Sequence, residues 1–136
     1  MLTGWEGCAS ISDASGNLLF YTQGLNLYNK NHVITPNGAG LLGNNSITQV
    51  AVFVPKPGNP NIYYMFILGD PTGNAASSFS PWTLYYNEID ITMNGGLGDI
   101  TANKNILIAG TAGNTSEKMS VTKHCISSGH FSGTGC

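Results

Sequence analysis

Apolar residues recur at alternate positions in short runs along this chain, and clusters rich in Gly, Asn, Asp and Pro separate the runs. Alternation puts successive side chains on opposite faces of an extended strand, whereas a helix needs apolar residues three to four positions apart. Cys8-Ala9-Ser10-Ile11-Ser12 and Leu18-Leu19-Phe20-Tyr21-Thr22 flank the turn-forming Asp13-Ala14-Ser15-Gly16-Asn17, which predicts a β-hairpin. Gly24-Leu25-Asn26-Leu27-Tyr28-Asn29 predicts a third strand, followed by a turn at Asn29-Lys30-Asn31-His32. The glycines and asparagines between Pro36 and Asn45 read as a loop. Thr48 to Pro55 and Asn61 to Leu68 are dense in β-formers and are joined by Lys56-Pro57-Gly58-Asn59-Pro60, so they predict the strongest strand pair.

Gly69 to Pro81 reads as a longer polar loop, after which Trp82 to Asp90 resumes a strand ending near Met93 to Asp99. Ile106 to Ala109 and Lys118 to His124 are further strand candidates, and no segment has the spacing of an amphipathic helix. About seven short strands at close intervals predict an all-β fold with no significant helix: a sandwich, a barrel or propeller blades. Local pattern alone does not choose among them.

Composition narrows the setting. Charged residues make up only 9% of the chain, with five lysines and no arginine, against about 25% charged in ordinary soluble domains. Asn, Thr, Ser and Gly must therefore solvate the surface, as suits an extracellular or cell-surface protein. No basic stripe is present to neutralise phosphates, which argues against nucleic-acid binding. A net charge of −2 leaves copies little mutual repulsion, so self-association is permitted. No apolar run reaches the roughly 20 residues of a membrane-spanning helix, and the first residues lack the charged-then-apolar form of a signal peptide. Cys8, Cys125 and Cys136 allow at most one internal disulfide.

The order and spacing of several segments carry a more specific signal: Glu6 to Thr22, Tyr28-Asn29-Lys30-Asn31-His32, Pro36-Asn37-Gly38, Gly40-Leu41-Leu42-Gly43-Asn44, Val54-Pro55-Lys56-Pro57-Gly58, Ile62-Tyr63-Tyr64, Asn94 to Asp99 and Ser116-Glu117-Lys118-Met119. Together they resemble the propeller-like opening segment of large secreted proteins of Bacteroidetes that are associated with gliding motility or a type-nine secretion sorting domain. The resemblance implies antiparallel propeller-like blades, about two plus a partial third, over residues 6–124, with the remaining blades and the sorting domain absent. It implies a surface or adhesion role and supplies no catalytic residues. Residues 125–136 depart from the resemblance and are expected to be a flexible or non-native tail. A partial ring exposes strand edges and blade faces, so a homo-oligomer completed by strands or blades is expected.

Several residue sets carry candidate chemistry. Asp13, Ser15 and Asn17 stand at alternate positions, as oxygen ligands of a Ca²⁺ loop do, although a hairpin turn uses the same residues for backbone geometry. Asp70, Asp90 and Asp99 fall at strand ends or loops, where a propeller can hold a metal on its axis; with Asp13 they form the candidate Ca²⁺ set. His124, Cys125, His130 and Cys136 are metal-competent types without a recognisable zinc spacing. Ser120-Val121-Thr122-Lys123 fits Ser-x-x-Lys but falls in an expected strand, and His32 falls in a turn. Trp82 and Tyr85, among Trp5, Tyr63, Tyr64 and Tyr86, are candidates for stacking on sugar faces, although alternation sends one tyrosine of each adjacent pair into the core. The leading expectation is an adhesion or interaction module; the alternatives are a Ca²⁺-dependent lactonase or esterase and a glycan-binding module.

Overall fold

A computed structural model describes residues 6–70 and 81–122 of the chain. The all-β expectation holds: two antiparallel sheets carry almost all the regular structure. The first is a meander of β1 (Ala9–Ser12), β2 (Leu18–Thr22), β3 (Asn26–Asn29) and β4 (Ile34–Ala39). The second begins with β5 (Ala51–Pro55), β6 (Ile62–Gly69) and β7 (Thr83–Asp90). Two short strands, β8 (Asp99–Ile100) and β9 (Ile106–Leu107), then share the far edge of β7, pairing near its end and its start respectively. The only helical turn among the described residues, α1 (Met93–Gly96), contains left-handed Asn94 and Gly95, so it is a pair of tight turns between β7 and β8.

The sheets stack in the same order, with β1 beside β5 and β4 beside β8. Between them lies the main core: Phe20, Leu27, Leu41, Phe53, Met65, Ile67, Tyr85, Ile89 and Ile100. Alternation explains the selection: Phe53, Met65, Ile67, Tyr85 and Ile89 occupy the positions of β5, β6 and β7 that point toward the first sheet.

Two expected loops contain strands. The loop expected from Pro36 to Asn45 begins inside a strand: Pro36–Ala39 belong to β4 (Ile34–Ala39), the edge strand of the first sheet. Its pairing with β3 is interrupted between Tyr28↔Ile34 and Asn26↔Ala39, and an edge strand with such an irregularity tolerates Pro36. The freed Asn37 N–H crosses to the second sheet and donates to Asp99 Oδ1 at 2.9 Å. Asp99–Ile100, beyond the expected end of the preceding strand, likewise forms β8. Lys118 to Thr122, a strand candidate by composition, has no ladder partners among the described residues. The expected tail at 125–136 lies outside the described residues.

Candidate functional site

The second sheet is apolar on both faces. Directly opposed residues share a face, so the rows Val54–Tyr64–Glu88 and Val52–Phe66–Tyr86–Ile106 both point away from the first sheet. All of these side chains are partly exposed. Their rings pack together: Tyr64 meets Tyr86 edge-on at 5.8 Å between centroids, and Phe66 lies 6.3 Å from Tyr64 and 6.5 Å from Tyr86. Lys56 closes one border, its Nζ 5.4 Å from the Tyr64 ring centre and 3.0 Å from Glu88 Oε2. Where β6 ends and β7 begins, Ile47, Val50, Leu68 and Trp82 form a second buried cluster, with Leu84 and Met119 packed against it.

The first sheet has an open face too. Ser10, Tyr21, Tyr28 and Ile34 form one cross-strand row on it. The Tyr21 and Tyr28 rings stack 5.0 Å apart and 7° from parallel, and the Tyr21 hydroxyl lies 3.1 Å from His32 Nδ1. His32 is exposed in the β3–β4 turn with φ at +62°, as expected of a turn residue. Ile34 is 39% exposed, and Val33, just before β4, is 58% exposed.

The four aspartates have separate structural partners. Asp13 accepts the Ser15 and Asn17 N–H groups on Oδ1 and the Asn17 amide on Oδ2, which closes the β1–β2 turn. Asp90 accepts the N–H and hydroxyl of Thr92 at the turn after β7. Asp99 is buried and clamps the sheets together, taking the Asn37 N–H on Oδ1 and the Asn37 amide on Oδ2 at 2.7 Å. Asp70 is buried after β6, where its main-chain carbonyl accepts the Tyr85 hydroxyl. Asp90 and Asp99 are opposed across β7 and β8. Among the described residues, no three His, Cys, Asp or Glu side chains converge on a metal position.

A clamp and a metal ligand respond differently to substitution. Asp99→Ala leaves the Asn37 N–H and amide without their acceptor and is expected to cost about 2–3 kcal/mol. The loss should be the same in urea titrations with and without a chelator; a deficit that appears only when metal is present would assign Asp99 to an ion.

Trp82 and Tyr85 correct the stacking expectation. Trp82 is fully buried and donates its indole N–H to Glu117 Oε1 at 3.3 Å; Tyr85 is 6% exposed and its ring belongs to the main core. Neither offers a face to a ligand, because Trp82, bridged to Thr115 just before β7, is covered and Tyr85 stands at an inward position of β7. Burial also pushes the Tyr85 hydroxyl above its usual range. Tyr86 and Tyr64, one position away from core side chains, carry the open aromatic surface. Trp5, Lys123, His124, Cys125, His130 and Cys136 lie outside the described residues, and Cys8 is exposed.

Hydrogen bonds from the Asn17 side chain, the Thr92 hydroxyl and the Lys56 ammonium hold the carboxyls of Asp13, Asp90 and Glu88 below the usual range. Groups depressed in the folded state stabilise it fully above their unfolded values, and that contribution is lost as pH falls through the folded ones. Stability in urea is therefore expected to decline below about pH 4. The triple variant Asp13→Asn, Asp90→Asn, Glu88→Gln should show a flatter acid limb.

No described helix is long and apolar enough to cross a membrane. Comparison of the chain with protein-family models, curated proteins and solved structures finds no match.

Proposed function

We propose that the chain is an extracellular or cell-surface interaction module built from propeller-like blades, acting in adhesion by offering sheet faces to partners. The observation that carries this reading is the second sheet's apolar outer face, since a sheet buried on one side only would alternate apolar with polar. Each blade of a propeller is covered on both sides by its neighbours.

The sense of stacking supports the blade reading. Asp13 N–H closes the first hairpin on Asn17, and Lys56 N–H closes the corresponding hairpin of the second sheet on Ile62. Counting two residues back from Asp13 and from Lys56, Ile11 corresponds to Val54, and the irregularity at Ile11/Ser12 places one extra residue on β2, so that Phe20 corresponds to Tyr64. The first pair faces the second sheet; the second pair faces outward. The sheets thus follow one another in the same sense, as successive blades do, instead of facing each other as the halves of a sandwich do. Low charge and the resemblance to secreted Bacteroidetes proteins favour the surface setting.

Native mass spectrometry of the purified chain with and without a chelator, paired with turnover assays on lactones and esters, tests this reading. Metal-independent behaviour without turnover is the expected result. Stoichiometric Ca²⁺ with chelator-sensitive turnover would replace it with the hydrolase reading. Retention on polysaccharide that is lost in Tyr64→Ala or Tyr86→Ala would identify the partner as a glycan.

A further inference from the structure

Two Asn-Gly pairs stand in this chain, Asn37-Gly38 and Asn94-Gly95, and the fold treats them in opposite ways. In such a pair the side-chain amide is open to attack by the next main-chain nitrogen, because glycine has no Cβ to shield it. Asn37 is locked. Its amide donates to Asp99 Oδ2 at 2.7 Å and its N–H to Asp99 Oδ1 at 2.9 Å. Gly38 is packed so closely that a Cβ there would overlap the Thr35 hydroxyl and the Leu27 carbonyl oxygen. Asn94 is exposed in the turn between β7 and β8, and its amide has no hydrogen-bond partner among the described residues.

The backbone at Asn94 is one rotation away from reaction. Asn94 and Gly95 are both left-handed, at φ +53°, ψ +44° and φ +64°, ψ +27°, and a Cβ at Gly95 would meet nothing within 4 Å. Ring closure needs the Gly95 nitrogen beside the Asn94 side chain, which occurs when ψ of Asn94 is about −120°, as at the first central position of a type II′ turn. The φ of Asn94 already suits that turn, so flipping the single peptide plane between Asn94 and Gly95 reaches it, and glycine accepts the new φ. Little opposes the flip. Leu97 N–H donates to both the Met93 and the Asn94 carbonyls, and only the 3.2 Å arm to Asn94 is given up.

We propose that Asn94 is a site of spontaneous modification, at which the chain ages by deamidation and isomerisation while Asn37 is preserved. The Gly95 nitrogen loses its proton to hydroxide and attacks Asn94 Cγ; the new N–Cγ bond closes a succinimide ring as the Cγ–Nδ2 bond breaks and ammonia leaves. Water then opens the ring. Attack at Cγ restores the main chain with aspartate at position 94, whereas attack at the main-chain carbonyl carbon leaves isoaspartate, which routes the chain through Cγ and lengthens it by one methylene. Either product adds a negative charge to a chain of net charge −2, in a turn whose ends carry the opposed Asp90 and Asp99. The extra methylene falls inside the loop closed by the Gly98 N–H bond to the Met93 carbonyl. Gly98 is packed against the Phe20 ring, and its neighbour Asp99 holds Asn37, so isoaspartate at position 94 loosens the clamp between the sheets.

The test is incubation of the folded chain in mildly alkaline buffer, with peptide mapping by mass spectrometry and isoaspartate scored by an isoaspartyl methyltransferase. Aspartate and isoaspartate should accumulate at position 94 more than about tenfold faster than at position 37, because hydrogen bonds to a carboxylate must first break at Asn37. In the urea-unfolded chain the two sites should convert at similar rates. Asn94→Gly keeps the left-handed geometry without an amide, so its urea midpoint should hold through the incubation while that of the wild type falls. Asn94→Asp, which carries the charge without the methylene, should lose less than the aged protein. Equal rates at positions 94 and 37 in the folded chain overturn the proposal, as does an Asn94 that converts only after unfolding. The peptide map needs no variant, so it decides even where Asn94→Gly folds poorly. A wild-type midpoint that holds while position 94 converts overturns the link to the clamp.

Discussion

Gly69→Ala should yield no folded protein. Gly69 ends β6 in the buried layer, where a Cβ would overlap the main-chain carbonyl oxygen of Leu42. The obstacle is backbone on both sides: Gly69 is locked in the β6–β7 ladder opposite Thr83, and Leu42 is held by its N–H bond to Asn105 Oδ1. Asn105 also donates to the Gly40 carbonyl, and Lys104 donates to that of Ala39 at 2.6 Å, so the loop after β4 cannot retreat without losing those bonds as well. A clash with no soft partner belongs to the rare substitutions that cost more than about 4–5 kcal/mol, which is most of the stability of a small domain. Gly58→Ala is the control. Gly58 has φ at +75° with open space around it, so only backbone strain of about 1–2 kcal/mol is incurred. Soluble yield and urea midpoints of the two variants separate the cases; a well-folded Gly69→Ala would show that the loop at 40–42 is free to shift.

Trp82→Ala should lower stability by about 3–5 kcal/mol and the melting temperature by about 10–15 °C. The indole is the largest fully buried side chain among the described residues and packs in the cluster of Ile47, Val50 and Leu68. Its main chain exchanges both hydrogen bonds with Thr115, and its ring nitrogen holds Glu117, so removing the ring also loosens residues 115–119. Trp82→Phe, which keeps most of the apolar volume, should recover more than half of the loss. Thermal unfolding followed by circular dichroism decides the matter. Unchanged stability together with lost glycan retention would return Trp82 to a ligand-stacking role.

The strands that follow a clean alternation, β1 to β3 and β5 to β7, are legible in the sequence because β-branched and aromatic residues fit a pleated surface. β4 is not legible, because Pro36-Asn37-Gly38 is turn chemistry locally and becomes a strand edge only when Asp99 supplies an acceptor from the other sheet. β8 and β9 are too short to leave a period. At the candidate site, alternation shows that one tyrosine of Tyr85-Tyr86 is buried, but which one depends on the side from which the first sheet approaches. The spacing of Asp13, Ser15 and Asn17 already offers a hairpin turn beside the Ca²⁺ reading, whereas the clamp by Asp99 links residues 62 positions apart and has no local signature. The sequence does hold one longer-range signal: Gly43-Asn44-Asn45-Ser46 and Gly113-Asn114-Thr115-Ser116 repeat the same pattern, each in the connection leaving the last strand of a sheet.

The stacking of one sheet on the next also orders events at the ribosome. The first sheet leaves the exit tunnel before Phe53, Met65, Ile67 and Tyr85 exist to cover Phe20 and Leu27. A lone meander with a bare apolar side is marginal in water, so the nascent chain must wait, partly collapsed, until β7 has been translated. Translation speed across residues 40–90 therefore sets how long that sticky half-product persists, and slowing synthesis there should favour aggregation over native protein.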